Sequence, residues 1–366
     1  MNAERLHKIL NEVKKDFDGN KLLNQLQQMQ KHLQSQISQP TQAAHQTFLS
    51  NSLETIYSLL ENSETNNFSP NWTSIIHELG GQDKYGRDLM NKIQSIFNSN
   101  QLTPTIALQD VDKLISSYKI FVNAVNQTVS GFTSLKIGKE ELKEGQCELE
   151  YSIPRLFVEN KLSQLTKEVT ELGFILNQIS EVVTGEKQDY EVKTISSSDY
   201  LLYIIIGLKV GEIISNVIER ILSNYKTVLE IKQLRNQLKE RGIPDEQTTG
   251  IDAFANEKLK KEIEVISKEI IQEHFNGSDE RKNELLNGLT IAFNKIANRI
   301  DKGFNISFRV EQLSAPEENE ELSDDQKNAM ESIRQIQANM NKIKYLENSG
   351  APILELEEGS EENETE

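Results

Sequence analysis

Five histidines, one cysteine and a Ser-Ser-Ser-Asp run are the residues of this chain whose types could carry chemistry. The histidines are His7, His32, His45, His77 and His274, and no two stand four apart, the spacing that lets one helix face hold a metal ion with two imidazoles. His274 directly follows Glu273, which is not the Glu-x-x-His offset of a carboxylate metal site. Cys147 opens a stretch of alternating apolar and polar residues, on its apolar side, with no histidine near it in sequence. A nucleophilic thiolate needs a base and a lowered pKa, so a small buried hydrophobe is the expectation for Cys147.

Gly80-Gly81 and the pair Gly207 and Gly211 lack the strand-turn context and the Lys-Ser/Thr that a phosphate-cradling loop requires. Glu262, Glu264, Glu269 and Glu273 alternate with Lys258, Lys260, Lys261 and Lys268, the pattern of an ion-paired, solvated helix face. The expectation is therefore no catalytic residue, no cofactor and no metal. Ser196, Ser197, Ser198 and Asp199 remain, between an alternating stretch and an apolar run. Their side-chain oxygens suit the capping of a helix start, or a small anion or partner contact there.

The elements that would position these residues begin with the run Tyr200–Leu208, nine apolar residues before Lys209. A membrane span needs about 20, and Glu212, Asn216, Glu219 and Arg220 interrupt any continuation. The run reads as the start of a long helix ending near Arg241, before Gly242 and Pro244. Ile214, Val217, Ile221, Tyr225 and Val228 step by three and four along it, and Leu234 and Leu238 continue the stripe, as in a coiled coil. Ile204, Ile206, Leu234 and Leu238 are its candidate contact residues, for a protein partner or for self-association as an oligomer.

The remaining organisation follows from periodicity. Up to residue 137 the apolar spacing is helical, with breaks at Gly19-Asn20, Pro40, Ser69-Pro70 and Gly80-Gly81. A polar, glycine-containing stretch from Gly138 to Gln146 marks a boundary. Beyond it, residues 147–153, 190–195 and 304–310 alternate like half-buried strands, with helices over 158–184, 256–275 and 279–302 between and around them. The fold class expected is mainly α with a small α+β part. It comprises a helical domain (1–137) and an α+β domain (138–312) with a three-stranded sheet packed with long helices. An acidic linker (313–325), a tethered C-terminal helix (326–347) and a disordered acidic tail (348–366) follow.

Net charge is −17, and the stretch from Leu313 to Glu366 holds 15 acidic residues against 4 basic ones. Such a balance disfavours nucleic acid and an anionic membrane surface as partners, since both are met with Lys and Arg. With one cysteine and no apolar signal stretch in MNAERLHKILNEVKK, a cytoplasmic protein is expected. The C-terminal helix presents Ile333, Ile336 and Met340, and the tail carries the short apolar motif Pro352-Ile353-Leu354-Glu355-Leu356, with Ile353 and Leu354 as candidate docking residues. The function these features imply is a non-enzymatic interaction or assembly protein acting through amphipathic helices and an acidic tail. Two alternatives stand beside it: a membrane-perturbing helical effector built on 199–221, and an enzyme whose residues converge only in the fold.

Overall fold

In the computed structural model the described residues are 2–196, 200–242, 249–275, 277–311, 313, 323–343, 345, 352 and 354–359. They divide into two compact units, Met1–Glu141 and Leu142–Glu366.

The first unit holds helices α1 (Ala3–Asn20), α2 (Leu22–Ser38), α3 (Ala43–Glu61), α4 (Pro70–Glu78), α5 (Gly86–Ser99) and α6 (Pro104–Ser134). The break between α1 and α2 falls at Lys21, whose φ of 46° leaves the helical region. Helix α4 starts as its sequence dictates: the Ser69 hydroxyl accepts from the Trp72 amide, and Pro70 occupies the first turn, where its missing N–H is no loss. Ile9, Val13, Leu26, Met29, Ile56, Leu60, Ile76, Leu89, Ile93 and Val111 fill the core of this bundle. Two buried polar ties close it: Arg5 bonds Glu140, and His7 Nδ1 meets the Ile137 carbonyl at 2.8 Å.

The second unit holds a four-stranded antiparallel sheet and six helices among its described residues. Strand β1 (Gln146–Ile153) is followed by α7 (Arg155–Val158) and α8 (Leu162–Thr184), then β2 (Glu191–Ser196) and β3 (Tyr200–Gly207). Helices α9 (Leu208–Glu240), α10 (Thr249–His274) and α11 (Asp279–Asp301) come next, then β4 (Asn305–Val310) and α12 (Asp324–Lys342). The strand order is β2-β3-β1-β4. One sheet face carries Cys147, Leu149, Tyr151 and Ile153 with Leu202, Ile204, Ile206, Ile306 and Phe308, all in the core of the unit.

Four expectations need correction. First, the sheet has four strands where the periodicity predicts three. The additional strand takes Tyr200–Gly207 of the apolar run 200–208, which the sequence reads as a helix start. Tyr200–Gly207 is rich in the β-branched and aromatic residues that strands favour, and its pairing with the central strand β1 over the full length fixes the register. A strand with apolar residues on both faces reads as an unbroken apolar run, which periodicity alone does not separate from a buried helix.

Second, Ser196 is the last residue of β2, paired with Leu201, and the residue after the Ser-Asp run, Tyr200, opens a strand rather than the expected helix, which begins at Leu208. Ser197, Ser198 and Asp199 lie outside the described residues.

Third, β1 is buried on both sides. Glu148 and Glu150, expected to face water, are buried; Arg309 of β4 stands directly opposite Glu148 and grips both its carboxylate oxygens at 3.0 and 3.2 Å, while Ser307 donates to Glu150 at 2.6 Å.

Fourth, α12 and the described part of the tail contribute to the core. Ile333, Ile336 and Ile343 are buried, and α12 lies along α9, where Ser332 donates to Glu212 at 2.6 Å and Asn339 donates to Ser215 at 3.0 Å. Leu354 and Leu356, expected in a disordered tail, are buried as well. Most of the expected linker and residues 360–366 lie outside the described residues.

Helix α9 crosses the sheet at Gly211. A side chain there would bring its Cβ within 2.7 Å of Cys147 Sγ and 3.1 Å of Cys147 Cβ, with Ile336 at 3.4 Å on another side. Ala is the better helix former by about 1 kcal/mol, but this approach leaves no room for its methyl. Gly211→Ala is expected to destabilise the protein by about 1–3 kcal/mol in urea unfolding, and Cys147→Ala in the same chain to recover part of that loss. A higher melting temperature for Gly211→Ala would contradict the packing. Burial, with the neighbouring Glu148 carboxylate, pushes the Cys147 thiol well above its ordinary pKa, so a thiol reagent is expected to label it only after denaturation.

Candidate functional site

The second half of α11 has water on no side: every residue from Ala292 to Asp301 is buried. Five of them are polar or charged, Asn294, Lys295, Asn298, Arg299 and Asp301. A buried polar group without a partner is costly, so this stripe must be satisfied by something packed on it. Three elements do so: α8 from one side, the C-terminal segment 354–359 from another, and α9, whose Tyr225 hydroxyl donates to Asp301 Oδ1.

From α8, Glu168 takes Arg299 in a two-pronged contact, Nε to Oε1 at 2.5 Å and Nη2 to Oε2 at 3.1 Å. The Tyr151 hydroxyl of β1 donates to the same carboxylate at 2.6 Å. Glu171, one helical turn further, accepts Lys295 at 2.6 Å. Burial together with the Glu168 charge raises the Tyr151 pKa well above its ordinary value, so the phenol stays a donor.

The C-terminal segment is held by its backbone. The Leu354 amide donates to Asp301 Oδ2 at 2.7 Å and the Leu356 amide to Asn298 Oδ1 at 3.1 Å. Asn298 Nδ2 returns the contact to the Leu356 carbonyl at 2.9 Å, and Asn294 Nδ2 donates to the Glu357 carbonyl at 2.8 Å. Asn298 thus meets both backbone groups of Leu356, as a neighbouring strand would. Glu355, pointing the other way, gives its amide to Asn256 of α10 at 2.8 Å.

The spacing has a simple origin. Asp301, Asn298, Asn294 and Ile291 recur every three or four residues on one face of α11, and the peptide passes them in the reverse direction, ending with Gly359 beside Ile291. One helical turn advances about 5.4 Å and two extended residues about 6.6 Å, so alternate residues of an extended chain keep near step with a helix face. That alternation sends Leu354 and Leu356 into the core and leaves Glu355 and Glu357 exposed.

Glu358 completes the arrangement. It accepts from Asn298 Nδ2 at 2.8 Å and lies 3.4 Å from Arg299 Nη1 and 3.7 Å from Lys295 Nζ. Burial opposes its ionisation, but the Asn298 hydrogen bond and the charges of Arg299, Lys302 and Lys295 outweigh burial and hold its pKa below the usual carboxylate value. One group is left over: Asn294 Oδ1 is buried with no donor, a deficit costing about 1–3 kcal/mol.

The residues singled out from sequence fall as follows. Ile204 and Ile206 lie in the sheet core, Ile333 and Ile336 under α12, and Leu354 in the groove, all buried. Met340 packs half-buried against the same core. On α9 the stripe is buried in its own unit through Leu229, while Leu234 is exposed and Leu238 half-buried. Ile353 lies outside the described residues. Sequence reasoning missed Glu168, Asn294, Asn298, Arg299 and Asp301, since polar residues at helical spacing read as a solvated face. The one available signal was the Leu-Glu-Leu alternation in an otherwise acidic tail.

Elsewhere the chemistry is sparse. A cleft of about 510 Å3 opens between α9 and α12, but its Glu212 already accepts from Lys209 and Ser332. Among the described residues no group of three or more His, Cys, Asp or Glu is placed to hold a metal ion, and no helix is long and apolar enough to cross a membrane. Comparisons with protein families, with curated proteins and with solved structures found no match.

Removing the Glu168 charge takes from buried Arg299 its two-pronged partner and leaves only the longer carboxylate contacts to Glu358 at 3.4 Å and Glu171 at 3.8 Å. Glu168→Gln is expected to lower unfolding free energy by about 3–5 kcal/mol in urea titrations. For Glu358, whose pKa is depressed by docking, the contribution is full above the unfolded carboxylate pKa and is lost as pH falls through the lowered folded value. The Leu356 amide resonance should therefore move toward its released position on that acid limb, and Glu358→Gln should abolish the limb.

Proposed function

We propose that this chain is a non-enzymatic protein–protein interaction or assembly protein whose acidic C-terminal segment alternates between its own groove and a partner-bound state. The observation that supports this is the way Leu354–Glu358 is held. Five backbone hydrogen bonds join it to side chains of α10 and α11, with two leucines in the core and one carboxylate among cations. A tail that served only to keep the protein in solution needs none of this. Short extended segments held by backbone bonds, with pockets for alternate side chains, are a common currency of protein recognition. The exposed end of α9 around Leu234 is a second contact surface consistent with the same role.

The membrane-perturbing reading loses its support, because it needs residues 199–221 as one helix and Tyr200–Gly207 is a paired strand. A reading as an enzyme finds no support in the α9–α12 cleft, where Glu212 is engaged by its neighbours.

The test is affinity capture of the tagged full-length chain from its own cells, beside Leu354→Asp/Leu356→Asp, which releases the tail. The expected outcome is a stoichiometric protein whose recovery differs between the two forms. Recovery of no such protein with either form, or equal recovery with both, would defeat the reading.

A further inference from the structure

We propose that the groove along α11 is a binding site for an extended, acidic Leu-x-Leu-x-Glu segment of a protein partner, and that Leu354–Glu358 is its occupant in cis. The proposal rests on the interaction reading above and names the ligand that its site selects.

The site is built, and three features specify what it accepts. Asp301 and Asn298 bond backbone atoms and so require an extended strand, not a particular side chain. Two core positions two residues apart take leucines. The carboxylate two residues beyond the second leucine meets Asn298, Arg299 and Lys295, a donor set that selects Glu.

A further observation indicates that the cis segment is not the only ligand the groove suits. Asn294 is 3% exposed, and while its amide nitrogen serves the Glu357 carbonyl, its oxygen Oδ1 receives no donor. The cis segment thus leaves one buried acceptor unused.

Tethering explains why the cis segment still holds the groove. A short connection presents it at an effective concentration on the order of millimolar, so a partner segment must bind more tightly or arrive while the tail is released.

The experiment uses the full-length chain and a fluorescein-labelled synthetic peptide, PILELEEG, read by polarisation. Full-length Leu354→Asp/Leu356→Asp should bind the peptide about tenfold or more tightly than wild type does, because its groove is vacant. Adding Asn298→Ala should remove that binding, and a peptide with both leucines changed to Asp should not bind. A folded vacant variant, judged by far-UV circular dichroism, that fails to bind the peptide overturns the proposal.

If that variant does not fold, wild type in excess peptide decides. Faster hydrogen exchange at the Leu354 and Leu356 amides supports displacement; unchanged exchange overturns it. A mixture of wild type and vacant variant that forms dimers dependent on Leu354 would place a second copy in the groove and overturn the partner assignment. If the peptide fails while affinity capture still yields a partner, the groove assignment alone falls. If the peptide binds while no protein is captured, the groove stands and the wider reading falls.

Discussion

A helix enclosed on all sides cannot leave its polar residues to water, and the second half of α11 is such a helix. Its stripe of Asn294, Lys295, Asn298, Arg299 and Asp301 fixes what must surround it. Glu168 and Glu171 set the rotation of α8, because only one face of that helix can bring both carboxylates to the two cations. Tyr151 ties the same carboxylate to the central strand. The C-terminal segment fills the remaining side. A well-packed apolar stripe would be at least as stable in general, and what the polar one supplies is direction, since hydrogen bonds discriminate among registers where a greasy surface does not.

The sheet repeats this logic. Strand β1 is central and buried on both faces, and its two glutamates are placed opposite Arg309 and Ser307 of β4. A slip of β4 by one residue would put Arg309 among the apolar side chains and leave Glu148 without its guanidinium. Gly211 lets α9 approach this strand closely. Backbone proximity, cross-strand charge and the α11 stripe thus converge on the same strand, which links the sheet, the long helices and the C-terminal segment into one core.

Much of this was legible in the sequence, and for a physical reason. Where one side of an element meets water, hydrophobic periodicity reports the element. Helices α1 to α6, the Ser69-Pro70 start, strand β2 and helix α10 are of this kind, while β1 and β4 were legible because their sequences alternate although their polar residues are buried in pairs. Where both sides are covered the signal fades. The run Tyr200–Gly207 lost its alternation because both of its faces are apolar, and its direct continuation into α9 disguised it as a helix. The candidate site was hidden by the opposite error. Asn294, Asn298 and Asp301 have the spacing of a solvated face, and nothing local reveals that residues some 58 positions later will cover them. The burial of Leu354 and Leu356 had one local sign, since two leucines amid acids have little reason to lie in water.

The pairing of distant segments also sets a timetable. Glu148 waits 161 residues for Arg309, and Asn298 waits 58 for Leu356. As the chain emerges from the ribosome, β1 has neither neighbour, and when β3 appears it still lacks β4. The core of the second unit therefore cannot close progressively. Its folding is dominated by long loops whose entropy must be lost before their contacts form, the condition under which domains fold slowly. Until β4 emerges, one edge of β1 stays unpaired beside uncovered helices, the kind of surface that general chaperones hold.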